Sequence, residues 1–256
     1  MKKLIVLIIL IWAALYAAAQ LPDPSRIMSD CRDMSIAGSM TATVNLTITE
    51  RNGSVRDRTI SMANKTFPGG MEKRFIRFLA PSDVRGTAML ITDNRDDEDE
   101  MWIYLPALKR KRRIVTSDRG KSFMSSEFSN ADMSSPPLKD FKYTHAEGSG
   151  VSDEWIVKGI PVSEDKADEY GYSKKISYIK KQGMIIEKIE FYNYDNELFK
   201  IIEIRKVHPL ENGRYIVSGM SAYNLKTGRK SEIVFSKIST GAMVDDDIFT
   251  LQNLDR

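Results

Sequence analysis

From residue 40 to residue 48 apolar and polar side chains alternate without a break: Met40, Ala42, Val44, Leu46 and Ile48 share one parity, Thr41, Thr43, Asn45 and Thr47 the other. A period of two puts the first set on one face of a pleated strand and the second on the opposite face, and the β-branched residues suit that backbone. Asn52-Gly53 then supplies the positive φ that a tight turn needs. Further strand-like runs follow at residues 58–62, 74–79, 88–92, 101–105, 113–116 and 154–160. The second half reads as a meander, with runs at 172–180, 184–192, 198–207, 214–223 and 232–238 separated by Gln182-Gly183, Asp195-Asn196, Asn212-Gly213 and Thr227-Gly228. Neighbours in such a series pair antiparallel in chain order. Alternation in this half is blurred, since Ile185 and Ile186 are both apolar, as are Ile201 and Ile202. Both faces are therefore partly covered, which suits a large curved antiparallel sheet with apolar material against its concave side.

One convincing amphipathic helix is predicted, over residues 22–34, with Asp23 or Ser25 as cap and Ile27, Met28 and Cys31 on one face. Residues 130–139, which hold Ser134, Ser135, Pro136 and Pro137, read as a loop between the two strand groups or as an ordered crossover. A single domain over residues 20–256 is the preferred reading.

The chain begins with Lys2 and Lys3, continues in an apolar run from Leu4 to Leu15, and presents Ala17 and Ala19 before the polar QLPDP. These are the three parts of a cleavable secretory signal at residues 1–19, with the cut after Ala19. An uncleaved anchor is the alternative, but the run falls short of the ~20 apolar residues that span a membrane. Lipid anchoring would need a cysteine next to the cut, and Cys31, the one cysteine, lies well beyond it. The chain is thus expected in the periplasm, without a lipid anchor and without an internal disulfide. The 38 basic side chains fall to 36 when Lys2 and Lys3 leave with the signal, against 35 acidic ones, a net charge of +1. No basic excess supports nucleic-acid binding.

Catalytic machinery is sparse. His145 and His208 stand far apart with no metal-like spacing, and neither a G-x-S-x-G elbow nor a phosphate-binding glycine loop is present. No catalytic residue, metal site or cofactor is assigned, although a Ser/His/acid set could assemble in space. The acidic run DNRDDEDE at residues 93–100 lacks the spaced ligands of a calcium loop and reads as a solvated hairpin.

The most informative stretch is residues 80–133. It holds P-x-D-x-R-G-T at residues 81–87, W-x-Y-L-P at 102–106, R-x-x-R-I ending at Ile114, and S-F-M-x-S-x-F-S followed by D-M at 122–133. In order and spacing these motifs resemble the LolA-like outer-membrane lipoprotein-sorting family, in particular the periplasmic branch met beside RND-type lipid exporters. The strong part covers about a fifth of the chain. The resemblance implies a mainly β fold, a curved, incompletely closed antiparallel β-barrel with a short helical lid (LolA/LolB-like), whose apolar cavity shields acyl chains in transit. Ser125-Ser126 stands where Gly-Ser is expected, a departure that bears on the local turn and not on the fold.

Beside that resemblance, Trp102, Tyr104, Phe123, Met124, Phe128 and Met133 form a set of aromatic and thioether side chains that either fill the core or line a lipid cavity. Trp102 and Tyr104 share one strand face and Ile103 and Leu105 the other, so one pair alone looks inward. Arg85 and the run Lys109, Arg110, Lys111, Arg112 and Arg113 are candidates for docking a lipid headgroup or a partner, with neutralisation by the acidic run as the alternative. Burying a chain of about 16 carbons is worth roughly 12 kcal/mol at ~0.8 kcal/mol per methylene, against ~1 kcal/mol for each basic residue near an anionic surface. A cavity, not the basic run, would hold such cargo.

The expectation is thus a non-enzymatic carrier of the acyl chains of a lipid or lipoprotein, receiving them from an RND-type inner-membrane exporter and passing them to an outer-membrane acceptor. An envelope lipid hydrolase and a non-catalytic protein-binding scaffold are the rival readings.

Overall fold

A computed structural model describes residues 21–241 and 243–256; the expected signal at residues 1–19 lies outside them. The chain opens with helix α1 (Pro24–Met34), whose cap is Asp23: its Oδ1 accepts from the Ser25 N–H at 3.2 Å, and Pro24 takes the first turn, where a missing N–H costs nothing. Six strands follow as a meander: β1 (Met40–Thr49), β2 (Val55–Thr66), β3 (Glu72–Ala80), β4 (Ala88–Asp93), β5 (Glu100–Leu105) and β6 (Arg110–Arg113). After a long irregular segment come β7 (Phe141–His145), β8 (Glu154–Pro161), helix α2 (Glu164–Tyr170), β9 (Lys174–Lys180), β10 (Ile185–Tyr192), β11 (Leu198–Pro209), β12 (Tyr215–Asn224) and β13 (Lys230–Thr240).

All thirteen strands form one antiparallel sheet in the order β6-β5-β4-β3-β2-β1-β13-β12-β11-β10-β9-β8-β7. The two meanders join where the last strand meets the first, with Leu46 opposite Ile233 and Val44 opposite Phe235. The sheet does not close, because β6 and β7 are its two ends. The fold is therefore mainly β, an incompletely closed barrel with a helical lid. The turn pairs act as expected: Gly53 has φ +84°, and Asn212 and Gly213 have φ +60° and +75° at the bend between β11 and β12.

Three expectations change. The basic run is itself strand β6, ahead of the predicted residues 113–116, because the turn Pro106–Leu108, with Lys109 at φ +47°, starts the return early and pairs Trp102 with Arg113. An edge strand tolerates such charge, which also guards it against pairing with other chains. Strand β7 is only five residues long, with Phe141 and Tyr143 on one parity and Lys142 and Thr144 on the other, and α2 is one short helix with its own cap, Ser163 Oγ accepting from Lys166 N–H at 3.2 Å; the sequence reading named neither. The acidic run is solvated only in part: Asp96, Asp97, Glu98 and Glu100 are exposed, whereas Asp93 and Asp99 are buried.

The convex face of β2 to β5 is covered by the C-terminal tail. Ala63, Phe75, Ala88 and Leu90 pack against Val244, Phe249 and Leu254, which explains why β4 is apolar on both parities. The main core lies on the concave face, where β1 buries Met40, Ala42, Val44, Leu46 and Ile48.

Candidate functional site

Residues 114–140 must carry the chain from β6 at one end of the sheet to β7 at the other. They do so as a strap across the concave side, bound to strands on both flanks. Arg74 donates to the Met133 carbonyl, Arg58 to the Met124 carbonyl, and the Glu127 N–H to Ser231 Oγ at 2.9 Å. Helix α1 covers the concave face beside the strap, with Ile27, Met28 and Cys31 against Val157 of β8 and Ile179 of β9. The segment 130–139 is thus an ordered crossover.

Between sheet, strap and helix lies a cavity of about 330 Å³. Its floor is aliphatic: Val44, Ile60 and Ile76 from the first meander, and Ile189, Ile202 and Ile204 from the second. Phe123 and Met133 of the strap form the roof, and Ile36 and Ala37 close the helix side. The volume sits at the lower end of the ~300 to 1,000 Å³ usual for small-molecule sites.

Charged groups ring this space. Asp93 at the end of β4 accepts from Arg32 of α1 at 3.0 Å, from its neighbour Arg95 N–H at 2.9 Å and from the strap's Ser135 N–H at 3.1 Å. Arg95 in turn reaches Asp33 of α1 at 2.8 Å. Helix, hairpin and strap are therefore pinned at one carboxylate. Further in, Lys200 of β11 pairs with Asp132 of the strap at 2.7 Å, and Lys175 of β9 lines the cavity with its amine 4.2 Å from the Phe141 ring centroid. Burial lowers the Lys175 pKa to about 8, a shift that Lys200 adds to and Asp132 opposes.

A second buried network holds the strap from behind. Arg119 lies 3.1 Å from Glu169 of α2 and 3.9 Å from Asp99, and Lys166 bridges Glu169 and Asp140 at 2.8 and 2.9 Å. Burial, with help from Asp93, pushes the Asp99 carboxyl up to about 6. Gly120 and Gly171 let strap and helix touch: a Cβ on Gly120 would stand 3.0 Å from the Gly171 nitrogen.

Of the residues singled out by sequence, Phe123 and Met133 line the cavity. Phe128 is fully buried in the same core, and Met124 packs against it from a left-handed backbone, φ +49°. Ser125, where the resemblance leads us to expect glycine, is also left-handed, at φ +63°. Trp102 and Tyr104 lie elsewhere. Their parity puts them on the convex face with the C-terminal tail, while Ile103 and Leu105 face the core. The basic residues do not converge either: Lys111 pairs with Asp255 at 2.8 Å, Arg112 with Asp118 at 3.5 Å and Arg113 with Glu100 at 3.4 Å, while Lys109 and Arg110 are exposed. Arg85 is exposed and donates to the Leu79 carbonyl at 3.1 Å. Only Arg113 finds its partner in the acidic run. Lys175, Lys200 and Asp132 were missed; Lys200, on one parity with Leu198, Ile202 and Ile204, carried the available signal, whereas neither parity of the Lys175 strand is apolar and its direction follows from register alone.

The two histidines stand outside the cavity lining. His145 bridges Ser149 Oγ and the Pro22 carbonyl, both at 2.8 Å, and Ser149 Oγ accepts from Ile156 N–H. A carbonyl at the far ring nitrogen fixes the imidazole as a tie between the β7–β8 hairpin and the start of α1. Among the described residues no cluster of three or more ligands suits a metal ion, and no helix is long and apolar enough to cross a membrane.

A half-barrel whose open side is roofed by a strap and a helix around an apolar space is the LolA-like fold. Among solved structures, a domain assigned to outer membrane lipoprotein sorting from Vibrio parahaemolyticus superposes with TM-score 0.81 at 24% identity, over 91% of this chain and 98% of that one. A DUF1329 family protein from Desulfovibrio piger gives 0.80 at 24% identity over 91% and 99%. A LolA superfamily protein from Nitrosomonas europaea gives 0.68 at 16% over 91% and 99%. By sequence, a family model described as "-like: Uncharacterized protein" matches residues 70–256, and the chain belongs to that family. No curated protein matches it.

Proposed function

We propose that this protein is a non-enzymatic carrier that holds an acyl chain of a lipid or lipoprotein in the cavity between sheet, strap and α1. The observation that carries this reading is the largely apolar, partly open space roofed by two elements the sheet does not need in order to pair its strands. Each methylene transferred into it gains ~0.8 kcal/mol, so a single chain supplies ample affinity in a volume of this size. Release then requires the roof to move, and the polar contacts at Asp93 tie helix, hairpin and strap together at its rim. The names of two structural relatives, which speak of lipoprotein sorting and of LolA, agree with this reading. So do the leader-like residues 1–19, which support a periplasmic site of action. Arg85 and β6 would dock a headgroup or a partner. An RND-type inner-membrane exporter as donor and an outer-membrane acceptor complete the proposal, on the strength of the motifs at residues 80–133.

Native mass spectrometry of protein purified from a cell envelope tests it. Retained intact lipid is expected. Lyso-lipid products that disappear in Ser149→Ala or His145→Ala would replace the carrier with a hydrolase. Persistent failure to take up a fluorescent fatty acid would favour a protein-binding scaffold.

A further inference from the structure

One row of side chains crosses the inner face from β8 to β11: Gly159 is the cross-strand neighbour of Lys175, Lys175 of Phe191, and Phe191 of Lys200. The two lysines differ in one respect. Lys200 is neutralised by Asp132 at 2.7 Å and lies 4.3 Å from the Phe191 ring centroid. Lys175 has no ion-pair partner among the described residues; the charges that reach it are Asp132, already engaged, and Lys200, of like sign. The Phe141 ring face beneath its amine replaces only part of the lost hydration. Gly159 preserves the room this arrangement needs, since a Cβ there would stand 3.0 Å from Tyr143 Cε1 and 3.5 Å from Lys175 Cε. A cation kept in an apolar cavity without a counter-ion is costly, and a ligand that brings the anion removes the cost.

We propose that the cavity takes an anionic amphiphile, its carboxylate or phosphate head bound by Lys175 and its chain among Ile189, Ile202 and Ile204. This deepens the carrier reading and rests on it: the head, as well as the tail, is recognised inside.

The test is equilibrium binding of palmitate, hexadecanol and palmitoyl lysophosphatidate, each below its micellar concentration, to delipidated full-length protein. At least one acid binds roughly 10-fold to 100-fold tighter than the alcohol, the span of a hydrogen bond to a charged group. In Lys175→Met the alcohol is retained and the preference for the acid falls to near unity; Lys175→Gln gives the same result if the first variant is poorly folded. Tighter palmitate identifies a free fatty acid as the source of the head, and tighter lysophosphatidate a phospholipid. Equal affinity for acids and alcohol in the natural protein, or a preference that survives both substitutions, overturns the inference and leaves the carrier standing. Binding of none of the three overturns both.

Discussion

Ile204→Phe probes the cavity directly. Ile204 lies on β11 opposite Met220, is only partly buried, and lines the space under the strap. Phenylalanine adds three carbons to a side chain that already points into a void, so it displaces about three methylenes of cargo. At ~0.8 kcal/mol each that is about 2.4 kcal/mol, or roughly 60-fold in dissociation constant. Filling empty space costs the fold little, and a stability change below about 1 kcal/mol is expected. Displacement of a fluorescent fatty acid measures the first quantity and urea unfolding the second. An unchanged affinity in a variant of normal stability would show that the chain does not occupy this space, and the cavity argument would fail with it.

Three further outcomes follow from the polar clusters. Arg119→Met leaves Asp99 buried without its cation and Glu169 with Lys166 alone, and should cost ~3 to 5 kcal/mol in denaturant unfolding. The Asp99 carboxyl, raised by burial from its ordinary value of 3.8 to about 6, binds its proton more tightly folded than unfolded. Its contribution is therefore complete below pH 4 and is lost as pH rises to about 6, by about 3 kcal/mol; Asp99→Asn removes that slope from a pH series of unfolding curves. Asp93→Ala frees α1, the hairpin and the strap from their common anchor. Faster hydrogen exchange confined to α1 and residues 130–136, with faster release of bound lipid, is the expected signature; uniform exchange over the sheet would instead mean general destabilisation.

What the linear order of residues determined was local. Alternation at residues 40–48, the glycine-bearing turn pairs and the Asp23 cap specify strands, hairpins and a helix through backbone geometry that each segment carries with it, and the antiparallel meander follows from short turns. The motifs at residues 80–133 pointed to the fold. Tertiary structure alone decided which parity faced inward, because a strand's two faces become inequivalent only when neighbours and covers are in place. Register put Trp102 and Tyr104 on the convex side under the C-terminal tail and turned Lys175 into the cavity, although each of the three lysines in KKISYIK reads by itself as a solvated charge. The strap shows the same limit. Its residues lack periodicity, and its role exists only because β6 and β7 end at opposite sides of a sheet that does not close, so the chain between them has to cross the open side and cover whatever lies there.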